Sequence, residues 1–409
     1  MSHARLFASL ALAAILMAAS WQLAQAETAP PPPPPPAEAE AETEAIEGTT
    51  APAQAGGRHL LIPDISFVGT AIGKLSDDDR DPDRDRLRLD EAEISIQSYV
   101  YPHVRADAFL VAPGHEEFRL ELEEGYLAFE QLPLRFAGHL GKFFVPFGRD
   151  NEKHPHSWPY ARRPLVWRNL VANESLVGNG VALSWLAPTR SRLFLQLDAG
   201  AYTKAGHSHS DGEAAHEEGE AHDDHAHSEL PEGAGANFSD KFYTARLWSG
   251  LPIGAQGELD FGGSWARGTT DQIPLPSGAL GSRNLQLTGL DVSYRAYGKG
   301  ARRLLLRAEQ LWHRYRSDLG REMTSGYYAL ANYRWSKYAD FGVLYDWSEM
   351  PGMHGQHESA LSAIFTRQFT EQTYARLQLS RGSRPGKRNY TEAWLQMVWG
   401  IGPHTHQLE

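Results

Sequence analysis

The sequence predicts an all-β fold, a 16-stranded antiparallel transmembrane β-barrel of the outer-membrane type with long extracellular loops and short periplasmic turns. Three observations predict it. From Leu60 onward, apolar and polar residues alternate in runs of about ten residues, the pattern of a strand with one face toward lipid and one toward water. Short turns and long polar loops separate these runs in strict alternation. The chain also opens on an export signal and contains no cysteine, so an exported fold must rely on its own hydrogen bonds rather than on disulfides.

Met1 to Arg5 is a short basic start, Leu6 to Leu23 is mostly apolar, and Ala24-Gln25-Ala26 is a small-x-small cleavage pattern, so residues 1–26 read as a signal peptide. A retained membrane anchor is the other reading of such a segment, disfavoured by its short length and its cleavage pattern. Residues 27–59 contain seven consecutive prolines, Pro30 to Pro36, followed by Ala/Glu/Thr repetition to Gly57. That composition cannot bury a core and reads as a disordered periplasmic tether, serving as a spacer or reaching toward peptidoglycan or a periplasmic partner. Later in the chain no apolar run approaches the roughly 18 residues of a spanning helix, so any membrane span must be β.

Over residues 60–409 the alternation marks strands at 63–74, 87–101, 104–113, 119–130, 134–144, 177–187, 191–203, 240–250, 257–268, 284–297, 302–315, 326–337, 338–348, 358–369, 372–382 and 390–401. In the last, Ala393, Leu395, Met397, Trp399 and Ile401 face lipid while Glu392, Gln396 and Gly400 face inward. Ala375, Leu377 and Leu379 alternate with Arg376, Gln378 and Ser380, and Leu304, Leu306 and Ala308 with Arg307 and Glu309. An even strand number puts both ends of the barrel on the periplasmic side. Short breaks such as 102–103, 131–133 and 188–190 then face the periplasm, and the segments 145–176, 204–239 and 269–283 are long outer loops.

A soluble all-β protein would alternate too, with its apolar face on a dry core. Aromatic pairs at strand ends, Tyr99/Tyr101, Trp335/Tyr338 and Tyr345/Trp347, favour a membrane interface. So do the charges on inward positions, Glu91, Glu93, Arg105, Asp107, Arg119 and Glu121, which a dry core would reject.

The formal net charge is −12, which disfavours a nucleic-acid partner and permits a cationic one. Much of it is local. Asp211, Glu213, Glu217, Glu218, Glu220, Asp223, Asp224 and Glu229 share one segment with His207, His209, His216, His222, His225 and His227. Imidazole and carboxylate together suit Zn2+ and related divalent ions, and the glycines of the segment imply loose, rapidly exchanging binding rather than a cage. A plain solvated loop is the alternative. Met350, Met353, His354 and His357 form a second cluster of candidate ligands, equally readable as an ordinary loop.

The stretch Gly141-Lys142-Phe143-Phe144-Val145-Pro146-Phe147-Gly148, followed by Arg162-Arg163-Pro164-Leu165 and Gly178-Asn179-Gly180-Val181, resembles the phosphate-selective porins O and P and their wider superfamily. The motif core covers some forty residues and the strand rhythm extends the likeness over about 60–401. The resemblance implies that loop 145–176 folds into the pore and constricts it, with Arg149, Lys153, Arg162, Arg163 and Arg168 as basic lining, beside His154 and His156, and that the protein is a homotrimer. Asp150, Glu152 and Glu174 mix acids into that set and weaken a phosphate-only reading. The tail Gly402-Pro403-His404-Thr405-His406 is similar to a histidine-rich-loop branch associated with zinc.

Three functions follow for comparison. A passive porin for small solutes or ions, its histidine loop gathering zinc-like metal, needs only a barrel with a polar lumen, no catalytic residue and no required cofactor. A metal-binding or metal-sensing surface protein would use the barrel as a scaffold. A barrel enzyme would need a converging nucleophile, base and acid, and none stands out: His216-Glu217 lacks the second histidine of a zinc protease, and Gly263-Ser264-Trp265-Ala266 lacks the closing glycine of a nucleophile elbow.

Overall fold

A computed structural model describes residues 63–403, apart from 80, 82, 115–119, 172–174, 204–237, 239, 275–279, 318–319, 352 and 354. The expected signal peptide, the tether, the histidine-rich segment, Arg119, Glu174, His354, His404 and His406 lie outside the described residues.

Sixteen strands follow one another: β1 (Asp64–Ser76), β2 (Arg86–Tyr101), β3 (Val104–Pro113), β4 (Glu121–Leu132), β5 (Phe136–Phe144), β6 (Val177–Leu186), β7 (Phe194–Thr203) and β8 (Lys241–Ile253). The second half comprises β9 (Gly257–Pro274), β10 (Leu280–Tyr297), β11 (Arg303–Ser317), β12 (Gly320–Ser336), β13 (Ala339–Glu349), β14 (His357–Gln368), β15 (Tyr374–Arg384) and β16 (Lys387–Ile401). Each pairs antiparallel with its neighbours in sequence, and β1 pairs with β16 from Phe67↔Ile401 to Ser76↔Glu392, closing the barrel. Closure leaves no unpaired edge, a condition lipid imposes because it offers the backbone no hydrogen-bond partner.

The outer face carries the apolar residues the alternation assigns to it, among them Phe341, Val343, Leu361, Phe365, Leu377, Leu379 and Leu395. Tyr99, Tyr101, Tyr297, Trp335 and Tyr338 ring the end that bears the short turns. At the other end Tyr327 stacks on Trp347 at 5.6 Å and lies 6.1 Å from Tyr345. Such aromatic rings mark the two membrane interfaces.

Two expectations need correction. Of the expected loop 269–283, residues 269–274 and 280–283 belong to β9 and β10, which pair as far as Leu280↔Pro274. β11 and β12 likewise run on to Ser317↔Gly320. Above the lipid both faces of a strand are wet, so the ladder continues while the alternation that reveals it disappears. The second correction concerns the inner face, which is not uniformly polar: Leu285, Leu287, Leu305, Leu311, Tyr328, Leu330, Leu344 and Ile364 are buried in one cluster with loop residues Phe147, Val166, Trp167 and Leu170. An apolar residue inside a barrel must be covered by protein rather than by lipid, and the cover comes from the segment after β5.

Candidate functional site

Loop 145–176 leaves β5, enters the lumen and returns to β6. Its two ends are clamped together: Val145 N donates to Leu176 O at 3.0 Å, and Asn151 Nδ2 donates to both Val145 O and Leu176 O at 2.9 Å. Leu176 N donates back to Asn151 Oδ1 at 2.7 Å. Gly148 has φ 64°, and a Cβ there would lie 2.6 Å from Trp167 Cζ2, so the glycine that ends the Pro-Phe-Gly sequence is required by both conformation and space. Beyond it come a 3₁₀ turn, Pro155–Ser157, and the single-and-a-half-turn helix α1, Leu165–Leu170, which packs on β11, β12 and β13.

Polar anchors bind the loop to the wall on all sides. Asp150 is fully buried and receives Arg307 Nη1 at 2.8 and 2.9 Å, Tyr160 OH at 3.1 Å and Tyr328 OH at 3.3 Å. Gly148 N donates to Ser264 Oγ at 2.9 Å, and Trp167 Nε1 to Glu309 Oε2 at 2.8 Å. Gln378 Oε1 accepts from Ala161 N at 2.9 Å, and Tyr374 OH donates to His156 O at 2.5 Å. A segment bonded to β9, β11, β12 and β15 in this way can only lie inside the barrel.

The basic residues expected at a constriction are distributed rather than aligned. Arg149 Nη2 pairs with Asp260 at 3.0 Å, Lys153 Nζ with Asp150 at 3.1 Å and Arg162 Nη2 with Asp346 at 2.9 Å. Arg163 is buried between two indoles, 4.4 Å from the Trp167 ring and 4.8 Å from Trp158. Arg168 is half-buried on α1. Below the loop, on the short-turn side, a small cavity of about 40 Å³ is lined by His156, Trp158, Arg303, Arg334, Asp340 and Arg376, three guanidiniums to one carboxylate.

His154 and His156, on the inward loop, turn their imidazoles toward acids of β2 and β4. His154 Nδ1 is 2.9 Å from Glu93 Oε2 and 3.0 Å from Glu123 Oε2, while its Nε2 is 2.9 Å from Glu124 Oε1. Glu91 and Glu93 approach His156 Nδ1 at 3.9 and 3.8 Å, and the two imidazoles stack at 5.6 Å. Phe109 and Phe144 flank the His154 ring at 5.0 and 4.8 Å. Burial opposes the His154 imidazolium, but Glu93 and Glu123 outweigh it and hold His154 well above the usual histidine range.

Glu91 and Glu93 were legible as inward charges on β2. Glu123 and Glu124 were not, because the register shift at Phe109/Leu110 makes two successive β4 residues serve one face. Three acids in the four residues Glu121 to Glu124 were the available signal. Of the second candidate metal cluster, Met353 is half-buried in the β13–β14 turn, and His357 opens β14 with its ring 5.7 Å from Trp347.

Sixteen antiparallel strands closed on themselves around an inward loop decide the comparison with solved structures. The fold is that of the outer-membrane porins. OprB of Pseudomonas putida superposes with a TM-score of 0.54 at 11% identity, over 83% of this chain and 94% of that one. An anion-selective porin from Comamonas acidovorans gives 0.52 at 8% identity, over 83% and 99%. A loop-deletion mutant of OmpT, an outer-membrane protein of Vibrio cholerae, gives 0.53 at 9%, over 83% and 99%. No protein-family profile matches the chain. Over 109 residues it is 36% identical to an uncharacterised protein of Aquifex aeolicus, which is 27% of this chain and 22% of that protein, so the match spans about a fifth of the relative's length.

Proposed function

We propose that the protein is an outer-membrane porin, a passive diffusion channel in which loop 145–176 narrows the path of small hydrophilic solutes or ions. The observation that carries the reading is the loop itself, bonded to the inner wall of a closed barrel that presents apolar residues to lipid and ionic residues to the lumen. Solutes cross such a channel without a chemical step. The likeness of the Phe-Val-Pro-Phe-Gly and Gly-Asn-Gly-Val segments to the phosphate-selective porins supports the same assignment. Reconstitution in planar bilayers tests it: stepwise, voltage-independent conductance supports the reading, and an intact barrel that passes no current overturns it.

Arg303, Arg334 and Arg376 around the short-turn cavity favour anions over cations there, which supports an anion porin as the finer version. A trimer accords with the trimeric form in which the Vibrio cholerae OmpT barrel is described. The proposal also assigns loose zinc binding to His207, His209, His216, His222, His225 and His227, on the strength of their spacing among Asp211, Glu217, Asp223 and Asp224. Replacing the six histidines by alanine tests that assignment. Loss of zinc uptake with conductance unchanged makes the loop an aid to metal entry, and loss of metal retention alone makes the barrel its scaffold.

A further inference from the structure

We infer that Glu91, Glu93, Glu123 and His154 form a site for one divalent transition-metal ion, with Zn2+ chemistry, that fastens the inward loop to the β2–β4 wall. This site is distinct from the histidine-rich segment and does not depend on what the channel carries.

Each of the four residues offers one ligand atom, and the four atoms lie within 4.8 Å of one another. Three carboxylate oxygens and one imidazole nitrogen form a ligand set that Zn2+ accepts, and a bond length of about 2.1 Å places tetrahedral ligands about 3.4 Å apart. His154 Nδ1 already sits 2.9 and 3.0 Å from Glu93 and Glu123, so an ion needs only a small spreading of these side chains.

The surroundings of the group are those of a prepared ligand. Glu124 uses Oε2 to accept Phe144 N at 2.7 Å, and presents Oε1 to His154 Nε2 at 2.9 Å. With an ion bound, the carboxylate on the far nitrogen keeps a proton on Nε2, and the ion displaces the one that Nδ1 shares with Glu93 and Glu123, leaving Nδ1 free to ligate. Glu91 Oε1, on a side chain only 12% exposed, is buried without a hydrogen-bond donor and belongs to the same group. Phe109 and Phe144 close the site on the flanks of the ring, where exclusion of water strengthens ion–ligand attraction. The β4 bulge lets the consecutive residues Glu123 and Glu124 reach the two nitrogens of one imidazole. Three mutually close carboxylates demand a concentrated positive charge, which a divalent ion supplies better than one imidazolium.

The test uses the full-length protein, folded in detergent, loaded with Zn2+ and washed with a mild chelator that strips loose sites. Anomalous diffraction at the zinc edge should show a peak within coordination distance of Glu93, Glu123 and His154. Metal analysis should find about one retained zinc per chain, falling at least tenfold in Glu93→Gln and unchanged when the six histidines of 207–227 are replaced by alanine. No peak at this position in crystals of the unaltered chain overturns the proposal, whether or not the variants fold. So does retained zinc that disappears with the loop histidines but survives Glu93→Gln. Conductance reads the channel assignment separately, so either can fail alone.

Discussion

Asp150 in the inward loop and Arg307 on β11 form a fully buried ion pair, Nη1 lying 2.8 Å from Oδ1 and 2.9 Å from Oδ2. Tyr160, Tyr328 and Lys153 complete the shell of Asp150, so one carboxylate couples the loop to two strands and to itself. Asp150→Asn keeps the shape but strands a buried guanidinium, a change that costs about 3–5 kcal/mol. The expected result is a loop that detaches intermittently, read as added open-channel noise and faster proteolysis within 145–176. Single-channel traces as quiet as those of the parent protein contradict this.

Gly148→Ala tests the turn. The backbone at φ 64° disfavours a side chain, and the added Cβ meets Trp167. The strain expected is about 1–3 kcal/mol, visible as a lowered urea midpoint for unfolding. An unshifted midpoint removes the steric role assigned to this glycine.

Trp167 is the largest fully buried side chain of the loop, packed edge-on against Phe147 at 6.1 Å and bonded to Glu309. Trp167→Ala should cost about 3–5 kcal/mol and widen the lumen, raising single-channel conductance. Trp167→Phe keeps most of the volume, forfeits the indole hydrogen bond and should leave conductance near the parent value. Equal conductance in the alanine and parent channels would mean that the loop does not limit the path.

Charge selectivity is addressed by the paired change Arg303→Glu and Arg334→Glu at the short-turn cavity. Reversal potentials in a salt gradient should move toward cation preference, with a shift that shrinks at high ionic strength as the charges are screened. A reversal potential that does not move places the selective region elsewhere.

How far these features could be read from the sequence depended on what covers each side chain. Lipid-facing Leu377, Leu379 and Leu395 alternate with buried Arg376, Gln378, Glu392 and Gln396, so β15 and β16 were plain to see. Leu305, Leu330 and Ile364 obey the same period yet face the lumen, and only the apolar side of the inward loop explains them. Alternation reports a difference between two faces without saying which one meets protein. The outer extensions of β9 and β10 are visible only in the ladder, which pairs as far as Leu280↔Pro274 through residues whose sequence does not alternate. At the site, His154 and His156 were singled out as lumen residues, whereas Glu123 and Glu124 were hidden by a bulge that only the pairing of β3 with β4 discloses. Asp150 reads in the sequence as an acid among the basic constriction residues, and nothing there marks Asp346. Their importance lies in partners far away in sequence, Arg307 and Arg162, which no local pattern links to them.

The seam between β1 and β16 has a bearing on biogenesis. Phe67 and Ile401 pair although they come from opposite ends of the sequence, so this ladder forms only after the last strand has been delivered. Until then the growing sheet has two naked margins, each a template for pairing with a foreign strand. The nascent chain therefore needs those margins shielded until residues 387–401 arrive, and shortening the C-terminal strand should leave an aggregating sheet rather than a smaller barrel.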